Sequence, residues 1–68
     1  MKYSILIQWS DSDQAYIASL PEWGDFASTH GDTYEEALEN AREVLEDLIY
    51  AYEQTGRALP LPKVLQFA

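Results

Sequence analysis

The side chains with the richest chemistry in this sequence are its twelve carboxylates. Three sets are closely spaced: Asp11 and Asp13; Glu35, Glu36 and Glu39; Glu43, Glu46 and Asp47. Paired carboxylates can perform general acid–base work when a pocket shifts one pKa away from the other. Here the spacing places the first pair on a polar turn and the others on the outer face of a helix, where solvated acids are expected. His30, the one histidine, stands just before a helix cap with Asp32 nearby. No Ser-His-Asp order and no His-x-x-x-His spacing surrounds it, so a strand-end or turn histidine is expected. The chain has no cysteine, which excludes a thiolate zinc site, a thiol nucleophile and a disulfide framework together. Gly24, Gly31 and Gly56 form no phosphate-cradling motif. These residues predict no enzyme, no catalytic or metal-binding residues and no cofactor.

Composition narrows the function further. The 68 residues fit a single domain, 1–68, and a chain this short buries only roughly 60% of its unfolded surface. Lys and Arg total 4 against 12 Asp and Glu, for a net charge of −8. Such a surface repels phosphate, so direct DNA binding is not expected, whereas a cationic partner suits it. A hydrophobic content of 47% and an aromatic content of 13% predict a folded chain. No stretch approaches the roughly 18 apolar residues of a membrane span. The apolar run after Lys2 ends at Gln8, too short for a signal peptide, so no membrane association and a cytoplasmic location are expected.

The elements that must position these residues follow from periodicity. Residues 3–9 alternate, with Tyr3, Ile5, Ile7 and Trp9 on one side and Ser4, Leu6 and Gln8 on the other, as a strand requires. A polar turn at 11–14 leads to a second strand at 15–20. Closing that turn sets Trp9 opposite Tyr16, Ile7 opposite Ala18 and Ile5 opposite Leu20, which puts the large apolar residues on one face. Pro21 ends the ladder, 22–25 is a loop, and 26–30 is a short third strand.

Thr33 and Glu36 form a capping box. From Tyr34 the apolar residues Ala37, Leu38, Ala41, Val44, Leu45, Leu48, Ile49 and Tyr52 recur at helical spacing. Gly56 stops the helix and Arg57 sits near its negative end. Pro60 and Pro62 prevent continuation, and 64–67 can add a short strand.

The predicted fold class is therefore α+β with the order β-β-β-α-β. An antiparallel meander carries one long helix on one sheet face, and the last strand returns beside the first. That order admits a ribonuclease H-like fold, whose catalysis needs acids on its central strands to hold two metal ions. Neither the first nor the last strand here carries an acid, so the nuclease chemistry is not expected.

Two surfaces remain as candidates for binding. Glu35, Glu39, Glu43 and Asp47 form a like-charged i, i+4 ladder relieved only by Arg42. Each like pair costs roughly 0.2–0.5 kcal/mol on an exposed helix, a cost that a basic partner would offset. The second surface is the sheet face away from the helix, where Leu6 and Ile17 are apolar, with Trp23 on a nearby loop. Such a face suits self-association or docking, and a homo-oligomer is expected on grounds of size. The expected partner-binding residues are Leu6, Ile17 and Trp23 for packing, with Glu39, Glu43 and Asp47 for steering.

The segments Leu20-Pro21-Glu22 and Thr29-His30-Gly31-Asp32-Thr33-Tyr34-Glu35-Glu36-Ala37-Leu38, followed by Asn40-Ala41, resemble the HicB-like antitoxin family. The opening Tyr3-Ser4-Ile5-Leu6-Ile7-Gln8-Trp9 with its acidic turn does so too, and the likeness spans nearly the whole chain. The resemblance implies a partial ribonuclease H-like fold without nuclease activity. It also implies an antitoxin of a type II toxin–antitoxin system, binding and neutralising a small basic, mRNA-cleaving toxin of the HicA type. Family members often carry Pro-Gly-Cys in the loop after the second strand, where this chain has Trp23-Gly24-Asp25. Many also carry a C-terminal DNA-binding domain, which is not expected here. The alternative is an orphan homo-oligomeric adaptor without a toxin.

Overall fold

The computed structural model describes residues 2–66. Its elements are β1 (Leu6–Ser10), β2 (Ala15–Ser19), a 3₁₀ turn (Pro21–Trp23), β3 (Ser28–Gly31) and α1 (Tyr34–Gln54). The three strands form one antiparallel sheet in the order β1-β2-β3, and α1 covers one face of it.

The β1–β2 register sets Trp9 opposite Tyr16 and Ile7 opposite Ala18, as alternation predicts. The ladder begins at Leu6 and Ser19, so Ile5 and Leu20 do not pair within it, although both join the core. The intervening turn is held by its own polar side chains. Ser10 Oγ donates to Asp13 at 3.0 Å, and Trp9 Nε1 donates to Asp11 at 2.7 Å. Gln14 takes the left-handed conformation, with φ at 51°.

The third strand lies later than the predicted 26–30. Leu20 N–H donates to Ala27 O and Ala27 N–H to Gly24 O, so residues 24–27 are used in a turn. Phe26 is carried to its outside and is almost fully exposed.

The helix ends are closed by the residues that sequence singles out. Thr33 Oγ1 accepts from Glu36 N–H at 3.0 Å. The Glu36 carboxylate reaches back to the amide of Asp32, one residue earlier than in the usual capping box. At the other end Arg57 N–H donates to Tyr52 O and Gly56 N–H to Glu53 O. This is a Schellman closure, which needs the positive φ of 69° that Gly56 supplies. The Arg57 guanidinium lies 4.0 Å from the Tyr52 ring centroid and donates to its hydroxyl.

The core is made largely of small residues. Ala18, Leu20, Ala37, Ala41 and Leu45 are buried, and Leu20 is the largest fully buried side chain. Ile5, Ile7, Val44, Leu48 and Ile49 pack around them. Alanines on both elements let α1 sit close to the sheet. Gly31 extends that contact, since a Cβ there would meet Glu36 C at 2.8 Å and the backbone of Ala37. Asn40 Nδ2 donates to His30 O at 2.8 Å and ties α1 to β3. Tyr34, predicted to face inward, is largely exposed and rests on Tyr16 with ring centroids 4.3 Å apart.

Of the predicted closing strand over 64–67, the described residues 64–66 form no strand. Val64, Leu65 and Gln66 are exposed, and Phe67 lies outside the described residues. The cause is local. Pro60 and Pro62 have no N–H to give to a ladder. The next amide, that of Lys63, donates to Glu22 at 2.9 Å. Tyr3 Oη donates to Pro60 O at 2.7 Å, which fixes the tail across the lead into β1.

Two substitutions test this packing in urea unfolding. Gly31→Ala forces backbone to move and is expected to cost about 1–3 kcal/mol. Thr33→Ala removes one cap bond and is expected to cost about 1 kcal/mol. Equal stability of Gly31→Ala and the parent would show that the helix does not approach as closely as described.

Candidate functional site

The six predicted partner-binding residues fall in three places. Glu39 and Glu43 share a shallow groove on the outer side of α1 with Glu35, Leu38, Arg42 and Glu46. All of these except Leu38 are exposed. Asp47 is also exposed, one helical turn beyond Glu43, and does not line the groove. The groove joins four carboxylates to a single guanidinium over a partly buried leucine. Leu38 was missed as a groove residue because it lies at the margin of the apolar stripe, where periodicity assigns it to the core.

Leu6 and Ile17 sit on the uncovered sheet face. Leu6 is opposite Ser19, and Ile17 is flanked by Gln8 on β1 and His30 on β3. Leu6 is 49% exposed and Ile17 is half-buried. A shallow depression on this side is lined by Asp13, Ala15, Ile17 and His30. His30 is therefore a strand residue of this face. One histidine and one aspartate there make no metal site, and no group of three metal-ligating side chains occurs among the described residues.

Trp23 is not on that face. Its ring packs between Tyr3 and Tyr52, with centroids 5.2 and 5.0 Å away, beneath the C-terminal part of α1. Its Nε1 is buried without a hydrogen-bond partner. The 3₁₀ turn Pro21–Trp23 rotates it inward, so it packs the fold and is half-buried. A loop read only as an interruption of the ladder gives no signal of this.

Glu22, from the same turn, is the polar residue that sequence reasoning missed. Its carboxylate accepts from Ser4 N–H at 3.1 Å, from Ser4 Oγ at 3.0 Å and from Lys63 N–H at 2.9 Å. It thus clamps the lead into β1 to the C-terminal tail. Burial opposes its charge, but the amides of Lys63 and Ser4, its own amide and the Ser4 hydroxyl outweigh that effect. Together they hold its pKa below the usual carboxylate value. The available signal was its place in Leu20-Pro21-Glu22, where a carboxylate follows the residue that ends a strand.

The residues of the resembling segments do structural work here. Leu20 fills the core, Pro21 opens the 3₁₀ turn, Glu22 clamps, Gly31 admits the helix, Thr33 and Glu36 cap it, and Asn40 anchors it. No family model, no curated protein and no solved structure matches the chain. None of the described helices is long and apolar enough to cross a membrane.

The clamp has a pH signature. A carboxyl held below its ordinary value of about 4.5 contributes stability above that pH and loses it as pH falls through the lower folded value. Glu22→Gln is expected to be less stable than the parent at neutral pH and to lose less stability on acidification. Urea unfolding across the acid range checks this, and parallel acid limbs for the two proteins would contradict it.

Proposed function

We propose that this chain is a HicB-like antitoxin that binds and neutralises a small basic ribonuclease of the HicA type. The observation that carries the reading is the exposed groove of Glu35, Glu39, Glu43 and Glu46 along α1, with Arg42 its only cation. In a chain of net charge −8 this groove is a ready surface for a basic partner. Complementary charge accelerates encounter and fixes orientation more than it adds affinity. Asp47 extends the same field by one turn, and Leu38 gives it an apolar floor.

The three antiparallel strands and the long helix fit a partial ribonuclease H-like fold, as the resemblance implies. β1 carries no carboxylate, so the acids such a nuclease uses to hold metal have no counterpart on that strand. On this reading the chain inhibits by occupying the toxin's basic RNA-binding surface. Leu6 and Ile17 would pack against a partner on the opposite layer, and direct DNA contact is disfavoured by charge. A cytoplasmic location goes with this role.

The test is a salt-graded affinity capture from the native cell extract, followed by an RNA-cleavage assay on the captured protein. A small basic protein should be held at low salt and released at high salt, and its RNA cleavage should stop on addition of the chain. The triple variant Glu39→Gln, Glu43→Gln, Asp47→Asn should associate about tenfold more slowly and lose most of its salt dependence. A captured protein that does not cleave RNA, or a variant with unchanged association kinetics, would sink the reading.

A further inference from the structure

The outer edge of β1 combines three properties found at no other exposed strand edge among the described residues. It is unpaired, because the sheet order is β1-β2-β3. It is undefended, because residues 3–10 contain no charge, proline or glycine in a chain that is 24% charged. Its pairing with β2 runs unbroken from Leu6 to Ser10, so no bulge turns the edge away. Unpartnered strands are ordinarily protected by those devices, since a free row of N–H and C=O groups recruits another strand. The other edge strand, β3, is shorter, ends in Gly31 and runs into Asp32.

The helix leaves the same strand poorly covered. α1 lies mainly over β3 and β2 and only grazes β1. On that side Ile5 and Ile7 are partly exposed and Trp9 is 49% exposed. A strand added beside β1, carrying its own helix on the same side, would bury this row in the seam between two helices.

Charge then selects the occupant and its direction. Lys2 lies in the lead before this strand, which begins at Leu6, and Asp11 and Asp13 lie just after it, all three exposed. A parallel pair of such strands would set lysine beside lysine and aspartate beside aspartate. An antiparallel pair brings Lys2 of each copy alongside the Asp11–Asp13 turn of the other. The strand is complementary to itself in that arrangement alone, which is the arrangement a two-fold axis produces. Among the described residues the competing occupant, the chain's own tail, forms no strand: Pro60 and Pro62 have no N–H to give, and that of Lys63 is bonded to Glu22.

We propose that two copies of this chain pair antiparallel through the outer edges of β1, giving a six-stranded sheet with both helices on one side. The inference does not depend on the antitoxin reading, since the acidic groove on α1 that carries that reading takes no part in the seam.

The experiment is sedimentation equilibrium of the full chain over a range of concentrations and salt, with amide hydrogen exchange on the same samples. The parent should reach twice its 7.8 kDa mass and keep it at high salt, because backbone pairing and apolar burial are not screened. Exchange at residues 6–10 should slow as concentration rises. The variant Leu6→Glu, Gln8→Glu places like charges across the seam on exposed positions outside the core. It should sediment as a monomer with the parent's circular dichroism. The concentration dependence of exchange in the parent decides the matter if the variant does not fold. A parent that stays at 7.8 kDa, a dimer indifferent to the two glutamates, or β1 amides already protected in the monomer by the tail would each overturn the proposal.

Discussion

Everything in this fold depends on how closely one helix can approach one sheet. A core with a single large fully buried side chain, Leu20, has little apolar area to spend, so proximity must supply what bulk does not. Ala18 on β2 and Ala37 and Ala41 on α1 bring the two layers together, and Gly31 removes the last obstacle where β3 turns into the helix. The first helical turn is thereby held against the end of β3. Its capping by Thr33 and Glu36, and the bond from Asn40 to the His30 carbonyl, reinforce the same junction.

The opposite end of the molecule is organised by a side chain in place of a strand. Glu22 gathers the amides of Ser4 and Lys63, groups that a fourth strand would pair in a ladder. With prolines on either side of Leu61, the tail follows the domain without entering the sheet. The sheet stays at three strands, and the edge and face of β1 stay open. Among the described residues, the absence of a closing strand and the availability of β1 thus have one origin.

The sequence made the local chemistry legible. Alternation in 3–9 and 15–20 specified the hairpin register at Trp9–Tyr16 and Ile7–Ala18, because a slip of one residue would have turned every apolar side chain outward. The helix was legible from its stripe and from both ends, since Thr33, Glu36 and Gly56 act through bonds within a few residues. Features that rest on distant partners were not legible. Trp23 looked like a loop aromatic until Tyr3 and Tyr52 were placed on either side of it. Glu22 is one acid of twelve until Ser4 and Lys63 arrive from the two ends of the chain. The acidic ladder was legible as charge, whereas the groove needed Leu38 to fall at the margin of the buried stripe.

The two tryptophans occupy different aromatic stacks. Trp9 meets Tyr16, which in turn meets Tyr34, beside the start of α1, whereas Trp23 lies between Tyr3 and Tyr52 near its end. One indole N–H is bonded to Asp11 at the surface and the other is sealed in without a partner. The protein therefore carries two built-in optical probes of unlike polarity, one for the hairpin and one for the clamped termini. Their unlike surroundings should separate their emission in colour and in access to quencher. Loosening of either end can be followed separately, with no label added.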